Sequence, residues 1–191
     1  MKNKRKIAEF LVHLINLTPS NVLDIGCGKG EYVNWYGLWY GTRGTGIDTD
    51  ERAIASAHFQ ARQSDLETKF LVADGSRLPR WITQETYDLV LLVGSRVLDL
   101  GIYSQAEIDK NLAQYWTLVA YGGYLLICEN TDFSGKIEPK AGWHLKSLGE
   151  IVRLQAAIPV PSRILFVKGL KRAYPLYLNL LIRESASGLL K

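Results

Sequence analysis

The chain has 191 residues, of which 47% are hydrophobic and 22% charged, and a formal net charge of +4. These are the proportions of a soluble globular protein, and they exclude a chain dominated by disorder. A chain of this length hides roughly 70% of its unfolded surface, enough for a substantial core.

Cys27 and Cys128 are far apart, lie in apolar or glycine-rich runs and match no metal-ligand spacing. A reduced, cytoplasmic chain without a bound metal is therefore expected. The basic cluster Lys2–Lys6 precedes an apolar run over residues 7–17, which Glu9, His13 and Asn16 interrupt. Neither a signal peptide nor a membrane span fits that pattern. The cluster reads as the solvated start of a helix, with RNA as the alternative partner.

Residues 1–20 form the first predicted element, a basic amphipathic helix with Ile7, Phe10, Leu11, Leu14 and Ile15 on one face, ended by Thr18-Pro19-Ser20. Val22–Ile25 is the first strand, cut off by Gly26, Gly28 and Gly30, and a helix spans Glu31–Tyr40. The second strand, Thr45–Ile47, closes on Asp48. A helix over residues 50–62 follows, with Ala53, Ala57 and Ala61 spaced to let it lie close to a sheet. Phe70–Ala73 is the third strand, ending at Asp74, and Leu89–Val93 the fourth, ending at Gly94-Ser95. Strands this uniformly apolar belong to a parallel sheet covered on both faces.

Ser104 and Glu107 have the spacing of a capping box, opening a helix whose apolar stripe runs to Val119 before Gly122-Gly123 stops it. Tyr124–Cys128 is the fifth strand. Ser147 with Glu150 opens a further helix, and the strand-like runs 163–168 and 176–183 suggest an antiparallel hairpin. The chain thus reads as five strand–helix repeats and a terminal hairpin in a single domain over residues 1–191.

In an open parallel sheet, ligands bind beyond the carboxyl ends of the strands, near the point where strand order reverses. The glycine turn Gly26-Cys27-Gly28-Lys29-Gly30, Asp48, Asp74 and the pair Gly94-Ser95 all fall there. Glycines suit such a turn because a Cβ blocks close approach and tight turns need positive φ. A dinucleotide-binding turn wants its third glycine at residue 31, which is Glu31. Asp48 reads as the acceptor of a ribose diol or as the N-cap of the next helix. Asp74 reads as the acceptor of an exocyclic amine or as a turn residue before Gly75-Ser76. Asp24 reads as a cap for the following helix or as a brace for the loop.

Val22-Leu23-Asp24-Ile25-Gly26-Cys27-Gly28-Lys29-Gly30, Gly46-Ile47-Asp48 with Ala53, Val72-Ala73-Asp74 and Tyr87-Asp88-Leu89-Val90 together resemble the motifs of class I S-adenosylmethionine-dependent methyltransferases. The resemblance runs from Val22 to Arg183. It implies an α/β, Rossmann-like, seven-stranded and mostly parallel sheet with helices on both faces and an antiparallel C-terminal hairpin. It implies S-adenosyl-L-methionine as cofactor. By the resemblance, the Gly26–Gly28 turn takes the methionine part, Asp48 the ribose hydroxyls and Asp74 the adenine amine, and backbone near Gly94 helps hold the amino group. Asp24, Cys27, Thr49, Gly75, Ser76 and Ser95 complete the expected cofactor set.

A sulfonium donor brings its own activated carbon, so the protein's task is alignment and exclusion of water, and a missing triad is no obstacle. His144, expected in a loop bordering the acceptor pocket, is the candidate base. Arg96 reads as a contact for an anionic acceptor or as a salt-bridge partner. The segment Val93-Gly94-Ser95-Arg96 lacks the Asx-Pro-Pro-aromatic motif of exocyclic amino methyltransferases, and the aromatic run Tyr32, Trp35, Tyr36, Trp39, Tyr40 reads as core packing before base stacking. The expected activity is methyl transfer to a small molecule, with tRNA or rRNA, or a non-catalytic adenosyl-binding role, as alternatives.

Overall fold

The computed structural model describes residues 18–99, 101–129, 143–146 and 177–183. Five parallel strands form its central sheet: β1 (Asn21–Ile25), β2 (Arg43–Asp48), β3 (Thr68–Val72), β4 (Tyr87–Val93) and β5 (Val119–Glu129). Their order is β3-β2-β1-β4-β5, so strand order reverses between β1 and β4. Four helices accompany them among the described residues: α1 (Glu31–Tyr40), α2 (Glu51–Gln63), α3 (Arg80–Thr83) and α4 (Gln105–Leu118). Beyond β5, the main chain of β7 (Tyr177–Arg183) runs antiparallel to β5, and that of β6 (Trp143–Lys146) antiparallel to β7. The stretch 163–168, expected as the first arm of the hairpin, lies outside the described residues, as do 1–17 and the box at Ser147 and Glu150.

The sheet forms where the apolar runs predicted it, because both faces are covered. Val22, Leu23, Ile25, Leu89, Val90, Leu91 and Leu92 are fully buried. On one face Ile25, Leu92, Val97, Ile108, Leu112 and Tyr115 belong to the larger core cluster, and on the other Cys27, Val33, Ile54, Ala57, Ala61 and Phe70 form a second. The alanines of α2 do what their spacing implied: all three are buried. At the lower end of the sheet the Asp88 carboxylate accepts the N–H groups of Ser20 and Asn21, at 2.8 and 3.1 Å, and fixes the entry of β1 beside β4.

Two elements differ from expectation. Helix α4 ends at Leu118, and Val119 already pairs with Tyr87 as the first residue of β5. The next paired residues are Leu89 and Tyr124, so the residues between Val119 and Tyr124 bulge out of the ladder, with Gly122 at φ +77. The glycines that were to stop the helix serve a bulge inside the strand. The aromatic run also divides. Tyr32 and Tyr36 are buried in the core, whereas Trp39 is 60% and Tyr40 41% exposed.

Candidate functional site

A cleft of about 340 Å³ opens at the carboxyl edge of the sheet, where strand order reverses. Gly26 from the end of β1, Asp48 and Thr49 from β2, Ala73, Asp74 and Gly75 after β3, and Gly94, Ser95, Arg96 and Val97 after β4 line it, with Ile102 and Tyr103 at its outer side. Seven of the expected cofactor residues therefore meet at one place: Gly26, Asp48, Thr49, Asp74, Gly75, Gly94 and Ser95. Asp24, Cys27, Gly28 and Ser76 are not in the lining.

The glycine turn is built inward. The N–H groups of Gly26 and Cys27 both donate to the carbonyl of Ile47, at 2.8 and 2.9 Å. The Gly28 N–H donates to Asp48 Oδ2 at 2.7 Å. With the N–H groups of Gly26, Cys27 and Gly28 spent on β2, these three residues offer a ligand shape more than hydrogen bonds. Its glycines also have a reason that the sequence did not reveal. A Cβ on Gly26, at φ +80, would lie 2.7 Å from both Cα and Cβ of Ser95, so the residue is small to let the ends of β1 and β4 touch. A Cβ on Gly30 would strike Phe70 and Ala57. Cys27 is buried in the second core cluster and does not line the cleft.

Asp48 is fastened on both sides, Oδ2 by Gly28 and Oδ1 by the N–H of Asp50 at 2.9 Å. It is not the N-cap of α2. Asp50 has that role, accepting from Arg52 and Ala53. Asp74 Oδ1 accepts both the N–H and the hydroxyl of Ser76, each at 2.8 Å, so the turn reading of Asp74 holds and Ser76 sets the carboxylate's orientation. The next residue, Gly75, packs so closely that a Cβ would meet Ile25 at 2.6 Å and Val97 at 2.8 Å. Its carbonyl accepts the Tyr115 hydroxyl at 2.9 Å. Burial pushes the ionisation of Tyr115 up, and Tyr103 and Asp74 add to the effect, so the hydroxyl remains a neutral donor. Asp24 is buried under the loop (1% exposed) and does not cap α1, whose N-cap is Gly30.

Sequence reasoning passed over the outer wall. Val97, Ile102 and Tyr103 are brought to the cleft by the path of the loop after β4, which no motif encodes. Arg96 stands in that loop at φ +59, a left-handed conformation that costs a residue with a side chain about 1 kcal/mol. The main chain of His144 lies in β6, paired with Ile182 of β7, not in a loop. Two strands, β5 and β7, separate β6 from β4. Among the described residues no group of three or more His, Cys, Asp or Glu is placed to hold a metal ion, and no helix is long and apolar enough to cross a membrane.

A family model described as a methyltransferase domain matches residues 22–123. A ribosomal RNA small subunit methyltransferase C from Pseudomonas putida (strain W619) is 29% identical over 109 residues, covering 56% of this chain and 31% of that protein. The chain thus spans about a third of the length of this curated relative. Among solved structures, the plantazolicin methyltransferase BpumL, in complex with a triazolic desmethylPZN analog and SAH, is similar with a TM-score of 0.62 at 15% identity. That match covers 95% of this chain and 83% of that one. Magnesium protoporphyrin IX methyltransferase from Synechocystis PCC 6803, with bound SAM, has a TM-score of 0.62 at 16% identity over 96% and 79% of the two chains. At these identities the solved structures speak for the fold.

Proposed function

The chain belongs to the methyltransferase-domain family, and from that premise we propose that it transfers a methyl group from S-adenosyl-L-methionine to a small-molecule acceptor. The observation that carries the reading is the meeting of Gly26, Asp48 and Asp74 on one cleft of about 340 Å³, a volume within the range of small-ligand sites. The residues fit the adenosyl group chemically. Each oxygen of Asp48 has accepted one N–H and keeps a lone pair for a ribose hydroxyl. Asp74 spends Oδ1 on Ser76, which leaves Oδ2 for an exocyclic amine. Thr49 and Gly75 flank these carboxylates, and Gly94 and Ser95 line the cleft beside the glycine turn, where Ser95 abuts Gly26. The seven-stranded sheet closed by a C-terminal hairpin is part of the same reading.

When bound, S-adenosylmethionine supplies the activated methyl carbon. What this chain contributes is orientation by fixed carboxylates, a floor of main-chain atoms and an outer wall of Val97, Ile102 and Tyr103 that keeps water from the acceptor side. A base is needed only for acceptors that must lose a proton, and His144 remains the candidate. Equal turnover by wild type and His144→Ala across pH would remove it.

The similar solved structures include the plantazolicin methyltransferase BpumL, magnesium protoporphyrin IX methyltransferase and coclaurine N-methyltransferase, which favours a small acceptor here. The ribosomal RNA methyltransferase relative favours RNA as the second reading. Lys2–Lys6, its candidate contact, lies outside the described residues.

Thermal shift tests the donor. Ligand at 100 times its dissociation constant stabilises by about 2.7 kcal/mol, so S-adenosylmethionine or its demethylated product raises Tm and NAD does not. A screen of metabolites with tritiated donor, run beside an RNA control, tests the acceptor. Labelled RNA with no labelled metabolite would overturn the small-molecule reading. Donor binding without any labelled product would point to a non-catalytic adenosyl-binding protein.

A further inference from the structure

We propose that the outer part of the cleft, between Gly94 and Tyr103, binds an acceptor carrying a carboxylate or phosphate, with the Arg96 guanidinium as its anchor. The inference rests on the reading of the inner part as the donor site. Three lining residues carry formal charge: Asp48, Asp74 and Arg96. The two acids are fastened by neighbouring N–H and hydroxyl groups on the side assigned to the adenosyl group. Arg96 is the one cation in the lining, and it lies in the loop after β4 that also brings Val97, Ile102 and Tyr103 to the cleft.

Its guanidinium is largely uncommitted. The contact with Asp99 runs through Nε alone, at 3.4 Å, and the arginine side chain is 71% exposed. Asp99 is itself held elsewhere, because its Oδ1 accepts the Gly101 N–H at 2.8 Å. The two terminal amino groups make no further bond among the described residues. In arginine these form the fork that matches a carboxylate or phosphate in two parallel hydrogen bonds.

The main chain adds a second argument. Gly94 and Arg96 both have left-handed φ, +61 and +59. Glycine takes that conformation freely, and at Gly94 it does. An arginine in the same conformation two residues later carries strain that a glycine would remove, so the strained position is one where the side chain is wanted. Val97 and Ile102 supply apolar surface and Tyr103 a ring, which suits an acid with a hydrophobic or aromatic body.

The test uses the full chain saturated with S-adenosylhomocysteine and the matched probes benzoate and benzamide, followed by ligand-observed NMR titration. Benzoate should bind about tenfold more tightly than benzamide. Arg96→Gln and Arg96→Gly should abolish that preference, and Arg96→Lys should keep part of it. Arg96→Gly should also fold at least as stably as wild type, which separates anchoring from structural damage. The affinity for S-adenosylhomocysteine, measured by calorimetry, should stay unchanged in all variants. Equal binding of the two probes to wild type, or a preference that survives Arg96→Gln, overturns the proposal. So does loss of S-adenosylhomocysteine affinity in Arg96→Gln, which would assign the guanidinium to the donor's own carboxylate. If wild type does not bind S-adenosylhomocysteine at all, the donor reading itself fails.

Discussion

The hydroxyl of Tyr115, on helix α4, donates to the carbonyl oxygen of Gly75 at 2.9 Å and so ties that helix to the turn bearing Asp74. The tyrosine is fully buried, and its partner has no room to move, because Ile25 and Val97 crowd the place where a Gly75 Cβ would be. Tyr115→Phe keeps the ring but strands a buried carbonyl. The expected cost is about 1–3 kcal/mol in denaturant unfolding, together with a weaker affinity for S-adenosylhomocysteine by calorimetry. Wild-type affinity in a destabilised variant would show that the turn holds Asp74 without this bond.

Asp48 links the glycine turn to the loop before α2, and its two oxygens are not equivalent. Oδ2 receives the Gly28 N–H, and Oδ1 the Asp50 N–H. Asp48→Ala removes both acceptors and whatever the carboxylate gives a ribose. Losing a hydrogen bond to a charged group costs about 1.5–3 kcal/mol, so binding of S-adenosylhomocysteine should weaken by about tenfold or more. Asp48→Asn keeps one acceptor oxygen and should fall between. Unchanged calorimetric affinity in both variants would take Asp48 out of the site.

Gly26 and Gly94 have similar backbone torsions, φ +80 and +61, but different surroundings. A Cβ at Gly26 collides with Ser95, whereas at Gly94 nothing lies within 4 Å. Alanine at either position bears the left-handed strain, and only Gly26→Ala must also push β1 and β4 apart. Gly26→Ala should therefore lower Tm more than Gly94→Ala. The reverse order would mean that the strand ends do not touch.

Helix α4 begins with a reciprocal cap, in which the Glu107 carboxylate accepts the Ser104 N–H and hydroxyl at 2.8 and 2.7 Å. Hydrogen bonds from the Ser104 backbone and then its side chain hold the Glu107 carboxyl below its ordinary value of 4.5, with Lys110 adding to the effect. A depressed carboxyl contributes stability above its unfolded value, and that contribution is lost as pH falls through the folded one. The Tm difference between wild type and Glu107→Ala should thus be present at neutral pH and shrink as pH drops below 4.5. Ser104→Ala should cost about 1 kcal/mol at neutral pH. A Glu107→Ala difference that is flat with pH would refute the ionic cap.

The parts of this molecule that could be read from the chain are those whose signal is local. The apolar runs located β1 to β4, the Ser104–Glu107 spacing located the start of α4, and the residues ending the strands supplied most of the inner cleft. What escaped depends on contacts distant in sequence. That Gly26 is small for the sake of Ser95 follows only once β1 is seen beside β4. The bulge before Tyr124 arises because the end of β5 must register with Leu89, while the preceding residues continue a helical stripe by pattern alone. Ile102 and Tyr103 reach the cleft through the path of a loop. His144 falls in a strand because β7 offers it an edge.

The contact of Gly26 with Ser95 bears on how such a chain can change its chemistry. A side chain added at Gly26 would disturb the ends of both strands. This corner of the cleft is therefore closed to gradual remodelling. Change comes more readily at the exposed side chains after β4, such as Arg96 and Ile102, which can vary without moving that junction.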